Sequence, residues 1–286
     1  MLALTMGIAA AVIWAVHDLL ARKLSQGADL VPMILVVLAS GGLVLLVPAL
    51  IFGDWVEMGP RALQAAGFSG IAFAFSIGGL YKAFSLAPVR IVSPIIGSYP
   101  MMSLAIAALQ GSPVSSLEWL AVAAIVVGIA IVTLTADTGA DVPLPTDVLL
   151  QAMFWAAASA VGFSLTFAFG QDAARNGSEL PAILIARGMA FGVMLLALIP
   201  RQRVPIALGG EWKTLALMGV MDAMALGAVM AAGGLPKAEY ASVSSGLFGV
   251  LTILLAAKYL GEKVSPVQWA GVLVVFSGVG GLSLQL

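Results

Sequence analysis

Ten apolar stretches follow one another along the chain, near 3–24, 30–52, 61–86, 89–110, 116–135, 147–173, 179–200, 212–233, 238–258 and 265–284. Each is close to the ~20 residues that an α-helix needs to cross hydrocarbon. Together they take up most of the 286 residues, which leaves no room for a soluble domain. Hydrophobic residues make up 61% of the chain and charged residues 9%, against about 25% charged in a typical soluble domain. The bilayer is therefore the solvent, and the expected fold is an all-α integral membrane protein with ten transmembrane helices.

The one polar, proline-bearing interval is "ADTGADVPLPTDV", residues 136–148, at mid-chain. It divides the chain into a first five-helix repeat (1–137), a linker (138–146) and a second repeat (147–286). The halves align. "APVRIVSPIIGSYP" (87–100) matches "LPKAEYASVSSGLF" (235–248) at an offset of 148, and "LVP" (30–32) matches "ELP" (179–181) at 149. "WLAVAAIVVG" (119–128) matches "WAGVLVVFSG" (269–278) at 150. An odd number of helices per half sends the second half in from the opposite side, giving an inverted repeat, a common transporter architecture.

Lys and Arg orient such a chain. Arg22, Lys23, Lys82, Arg90, Arg201, Arg203, Lys213, Lys258 and Lys263 fall in the connections at one side, and Arg61, Arg175 and Lys237 at the other. The first side is expected to be cytoplasmic, with both termini outside. The N-terminus lacks the basic region and cleavage site of a signal peptide, so the first stretch is expected to stay as a span.

Cysteine is absent and there is one histidine, His17. Thiolate chemistry and multi-histidine metal sites are excluded. Nothing implies a cofactor, and no basic run points to nucleic acid.

Backbone breaks carry the strongest site signal, because interrupted segments at matching places in two halves point to a transporter site. The fourth stretch reads "VSPIIGSYPMMS", with Pro94, Gly97 and Pro100 close together. Its mate in the ninth reads "ASVSSGLFGV", crowded with Ser242, Ser244, Ser245, Gly246 and Gly249. Gly97, Ser98, Tyr99, Ser244 and Ser245 are thus candidate substrate contacts. The serines equally suit close helix packing. Trp14 and its repeat mate Phe163 lie mid-span, away from the interface where tryptophan collects. They suit either the walls of a cavity or packing bulk. Trp55, Trp119, Trp212 and Trp269 fall near span ends as anchors.

Ionisable residues inside spans are functional candidates by default. Asp222 is the deepest; contact with a substrate ammonium, proton coupling and an ion pair with Arg187 are all open. In "WAVHDLLARKL" (14–24), His17 and Asp18 are adjacent and so point apart on a helix. Asp18 and Arg22 are four apart, acid first, the favourable order for an ion pair. His17 shares a face with Trp14, three residues away, and is the better substrate candidate. Small-residue spacings "AIVVG" (124–128) and "SGVGG" (277–281) predict a contact between the fifth and tenth helices, or a dimer face.

These features resemble the drug/metabolite transporter superfamily, specifically its EamA-type members. "LPAILIARGMAFGVMLLALI" (180–199) resembles the family's seventh helix, with Arg187 at its arginine position. "LLAAKYLGEKVSPVQWAGVLVVFSGV" (254–279) resembles the ninth-to-tenth helix signature, with Gly261, Glu262, Trp269 and Gly278 in place. In the first half Leu38 stands where the family has arginine and Ser112 where it has glutamate. The resemblance implies a secondary carrier of small metabolites in the bacterial inner membrane, working by alternating access without ATP. Length and aromatic content are similar to amino-acid exporters, the aromatic branch included; sugars, nucleosides or drugs are the alternative cargo. The internal repeat makes a monomer sufficient, and a dimer is compatible with it. Helices 1, 4, 6 and 9 are expected to form the cavity.

Two other classes fit less well. "GFSG" (67–70) matches the short serine motif of intramembrane proteases, which pair a serine with a histidine on another helix. Ser69 lies roughly 12 Å from the outer end of its helix and His17 roughly 21 Å from the outer end of its own. That depth mismatch forbids a hydrogen bond. A channel would need a ring of like charges or a filter loop, and neither is present.

Overall fold

The computed structural model describes residues 1–25, 29–87, 92, 95–135, 145–199, 211–260 and 265–284. The helices are α1 (Leu2–Leu24), α2 (Leu30–Phe52), α3 (Pro60–Leu86), α4 (Tyr99–Leu109), α5 (Ser116–Leu134), α6 (Thr146–Arg175), α7 (Glu179–Leu196), α8 (Trp212–Ala231), α9 (Glu239–Ser245), α10 (Phe248–Leu260) and α11 (Pro266–Ser283). There is no strand among the described residues. Six helices, α1, α2, α3, α6, α7 and α8, are long and apolar enough to cross a membrane, and α4, α5 and α11 are shorter apolar helices. Their starts follow local chemistry. Proline stands in the first turn of α3 and α11, where its missing N–H costs nothing. Ser265 and Gln268 close a reciprocal capping box at the start of α11.

The fourth and ninth spans are both interrupted. Tight turns at Gly97–Ser98 and Gly246–Leu247 interrupt them, and Gly97 and Gly246 are 149 residues apart, the repeat offset. The two breaks meet, because a side chain at Gly246 would collide with Pro100 Cγ at 2.7 Å. Pro94, Arg90, Arg201, Arg203, Gly261, Glu262, Lys263 and most of the 138–146 linker lie outside the described residues.

Contacts between the halves come in matched pairs. α3 packs along α6 as α1 packs along α8; α4 meets α6 as α9 meets α1; α3 meets α7 as α8 meets α2. α2 with α7 and α5 with α11 are their own counterparts. For these contacts, exchanging each element for its mate five spans on returns the same set. The fold is therefore two inverted five-helix repeats, interleaved through a shared core.

Lipid supplies no hydrophobic drive between helices, so close packing and interhelical hydrogen bonds hold them, the latter about 1 kcal/mol each. On α3 and α6, Ser76 Oγ donates to the Ser159 carbonyl at 3.3 Å and Ser159 Oγ to the Ser76 carbonyl at 2.9 Å. One turn pair away, Ser69 Oγ donates to the Thr166 carbonyl at 2.8 Å. The serine of the "GFSG" motif is thus fully buried and bound into helix packing. Gly128 on α5 sits against the Gly271 carbonyl of α11, and Gly278 on α11 against the Ala121 carbonyl of α5. The two small-residue stretches are engaged by this internal contact.

Candidate functional site

A cavity lies between the repeats, walled by α1 (Trp14, His17, Asp18), α3 (Phe73, Ile77, Leu80), α4 (Tyr99), α6 (Phe163, Phe167), α8 (Asp222) and α10 (Phe248). The contributing spans are the first, third, fourth, sixth, eighth and ninth, again three matched pairs. The expected helices 1, 4, 6 and 9 all line it, and the third and eighth join them: α3 lines one wall and α8 brings in Asp222. The close α3–α6 and α1–α8 packing forces this, since helices so tightly joined turn neighbouring faces to the same space.

Most of the wall is aromatic. Trp14 stands 6.3 Å from Phe163 and 5.9 Å from Phe167, centroid to centroid. Tyr99 is 5.5 Å from Phe167 and stacks parallel to Phe248 at 6.4 Å. These are contact distances for rings, so the aromatic side chains pack on one another along this wall. The break at Gly97–Ser98 starts α4 at Tyr99 and presents its ring here. Tyr99 Oη and Ser245 Oγ are 2.6 Å apart, which ties the broken fourth span to the ninth.

The other wall is polar. Trp14 Nε1 donates to Asp222 Oδ1 at 3.0 Å, and Arg187 Nη2 donates to Asp222 Oδ2 at 2.6 Å. Of the open readings for Asp222, the ion pair with Arg187 is present, and it is buried on both sides. Arg187 also bonds the Gly219 carbonyl at 3.3 Å and lies over the Phe73 ring at 5.7 Å. It stands behind the cavity and positions two residues that line it.

His17 and Asp18 are not split as their adjacency implies. His17 Nδ1 and Asp18 Oδ1 lie 3.0 Å apart, and both residues are buried. Neighbours on a helix point about 100° apart, yet both side chains bend into the same crevice. Asp18 consequently does not pair with Arg22, whose guanidinium reaches the Phe84 carbonyl at the end of α3 instead. With Nδ1 held by Asp18, the free nitrogen Nε2 decides what His17 offers: a lone pair in the neutral ring, an N–H in the imidazolium. That nitrogen is buried and has no hydrogen-bond partner among the described residues. A buried polar atom without a partner is costly, and here it belongs to a cavity-lining residue.

The remaining candidates fall elsewhere. Ser244 Oγ donates to the Leu4 and Tyr240 carbonyls, at 3.0 and 2.6 Å, within the contact of α9 with α1. Ser98 turns its hydroxyl back onto the Ile95 carbonyl at 2.7 Å. Ser245 reaches the cavity only through Tyr99. Phe73, Ile77, Leu80, Phe167 and Phe248 line the cavity without having been singled out, because an apolar residue mid-span looks the same whether it faces lipid or a cavity. For Phe167 alone a signal existed, one helical turn from Phe163 on the same face.

An inverted repeat with broken spans meeting at a central cavity defines a multi-pass membrane transporter of small metabolites. The EamA-like transporter family matches residues 1–134 and 150–284, and the chain belongs to that family. No curated protein matches it in sequence. A solved structure described only as the crystal structure of a protein is similar over 99% of this chain and 96% of its own, with TM-score 0.78 and 19% identity. That likeness concerns the fold.

Proposed function

We propose that the protein exports amino acids with aromatic or neutral side chains across the bacterial inner membrane by alternating access. The observation that carries this reading is that one cavity is lined by both aromatic rings and ionisable side chains. Trp14, Tyr99, Phe163, Phe167 and Phe248 offer faces for a side chain. His17, Asp18 and Asp222 offer charge and hydrogen bonds for an ammonium and a carboxylate. The two repeats, 1–137 and 147–286 about the 138–146 linker, rock around this point. The side bearing Arg22, Lys23 and Lys82 faces the cytoplasm, which puts both termini outside. A monomer holds the whole pathway.

The test is a counterflow panel on purified protein in liposomes, with labelled amino acids, sugars and nucleosides. Saturable uptake of phenylalanine or a neutral amino acid, driven by the same unlabelled compound inside, is the expected result. Movement of sugars or nucleosides with no amino acid moving would overturn the substrate.

A further inference from the structure

A second cavity lies next to the first along the same helices. Its polar lining comes from Ser103 on α4, Gln110 and Ser112 just beyond α4, Ser164, Gln171 and Arg175 on α6, and Glu239 and Ser242 on α9. The faces are continuous. Tyr99 and Ser103 are one turn apart on α4, and so are Phe167 and Gln171 on α6; in each pair the first residue lines the aromatic cavity and the second this one. Ser164 Oγ donates to the Tyr99 carbonyl at 3.1 Å, and Ser245 Oγ, the partner of Tyr99, is 2.8 Å from the Ser242 carbonyl. The second cavity thus lies about one helical turn, or ~6 Å, further along the same helices.

Two atoms in it lack hydrogen-bond partners among the described residues. Glu239 is 7% exposed, and its Oε1 is buried and unpaired; Ser103, 5% exposed, has an unpaired hydroxyl. No donor in the lining, the Arg175 guanidinium and the Gln110 amide included, reaches Glu239 Oε1. Gln171 Nε2 bonds the Val229 and Ala238 carbonyls at 3.0 and 2.9 Å, and Arg175 Nε bonds the Gly233 carbonyl at 3.0 Å. Ser242 Oγ donates to the Glu239 carbonyl at 2.8 Å. A buried carboxylate oxygen left without a donor, in the same cavity as a buried hydroxyl without a partner, is a receptor for a small cation with several N–H donors.

We propose that Glu239 and Ser103 form a cation subsite that takes a primary ammonium group between the aromatic cavity and the outer face. The assignment of that ammonium to the cargo rests on the amino-acid reading above; a free inorganic cation carries similar charge. The carboxylate anchors the ammonium, and the Ser103 and backbone oxygens complete its shell. A zwitterion leaving the aromatic cavity then never has to carry its ammonium bare through the apolar interior.

The experiment is carbodiimide labelling of the purified full-length protein in detergent, read by mass spectrometry on the peptide containing Glu239. The probes are methylammonium, L-phenylalanine, 3-phenylpropionate and sodium, each against choline. E239Q is the blank. Methylammonium and L-phenylalanine are expected to protect, and 3-phenylpropionate and sodium are not. No protection by any ammonium compound overturns the subsite. Protection by methylammonium but not by L-phenylalanine supports the subsite and overturns the amino-acid reading instead. Equal protection by sodium assigns the site to an inorganic cation and overturns the ammonium assignment. In liposomes, E239Q is expected to raise the half-saturating concentration of L-phenylalanine about tenfold, the loss of one charged hydrogen bond, while E239D retains most of the affinity. Equal affinity in E239Q and the parent protein contradicts the proposal.

Discussion

The indole N–H of Trp14 and the carboxylate of Asp222, 208 residues apart in the chain, meet at 3.0 Å and join α1 to α8 at the cavity wall. Arg187 closes on the other carboxylate oxygen at 2.6 Å. One aromatic wall residue, one lining carboxylate and one buried cation are therefore a single hydrogen-bonded unit.

Breaking that unit from the cationic side leaves a carboxylate buried without its counter-charge. Arg187→Leu is expected to destabilise the protein by about 3 kcal/mol or more. Arg187→Leu with Asp222→Leu recovers most of that stability while losing transport. Thermal unfolding in detergent checks the first, and counterflow the second. Equal stability of the single and double variants would mean that the pair does not hold the α7–α8 contact.

Trp14→Phe keeps the ring and removes the N–H. Its effect separates the two walls: the aromatic surface stays, and Asp222 loses one donor. The half-saturating substrate concentration is expected to change about tenfold, in line with a hydrogen bond to a charged group. Trp14→Ala, which removes both, is expected to be at least as damaging to transport of phenylalanine as of a small neutral amino acid.

Gly41 and Gly219 let α2 approach the ion pair. A Cβ at Gly41 would meet Arg187 Nε at 2.5 Å, and one at Gly219 would overlap the Val37 carbonyl and Ser40 of α2. Gly219→Val is expected to cost about 3 kcal/mol by overpacking, seen as a fall in unfolding temperature. Gly188 has open space around it, so Gly188→Ala is the matched control and is expected to leave the unfolding temperature within a degree or two.

At the far end of the bundle Lys237 has φ 55°, in the left-handed region. Its Nζ donates to Glu118 Oε1 at 2.7 Å, and Tyr240 Oη donates to the same oxygen at 2.6 Å. Lys237→Ala loses the ion pair and keeps the backbone strain, whereas Lys237→Gly loses the ion pair and sheds the strain. The glycine variant is expected to be the more stable of the two by about 1 kcal/mol. Chemical unfolding of the two variants side by side reads that difference.

Much of this was legible in the residues. Helix spans followed from apolar length, and the observed ends at Leu24, Phe52, Leu86 and Leu109 fall within a residue of those expected. The broken pair of spans followed from Gly97 and the serine-rich stretch opposite it. Trp14, Phe163, Tyr99, His17 and Asp222 stood out because aromatic bulk or charge in mid-membrane needs a reason. The relation of His17 to Asp18 was not legible, because helix geometry sets where Cβ points and not how two side chains bend toward a shared crevice. Nor was the part played by α3: Phe73, Ile77 and Leu80 carry no polar mark, and only the α3–α6 packing turns them inward. Glu239 sits at the start of the ninth span, where a carboxylate reads as an interfacial helix end; its burial comes from α4 and α6 closing over it.

Under the proposed function, the substrate passes through the aromatic cavity. The chain has no cysteine, so a single introduced thiol reports on one place. Ile77→Cys puts that thiol on the cavity wall, and its reaction with a small methanethiosulfonate reagent can be followed in liposomes alongside phenylalanine counterflow. Phenylalanine is expected to slow the labelling, and labelling to stop the counterflow. Labelling that proceeds unchanged in saturating phenylalanine and leaves counterflow intact would contradict that route.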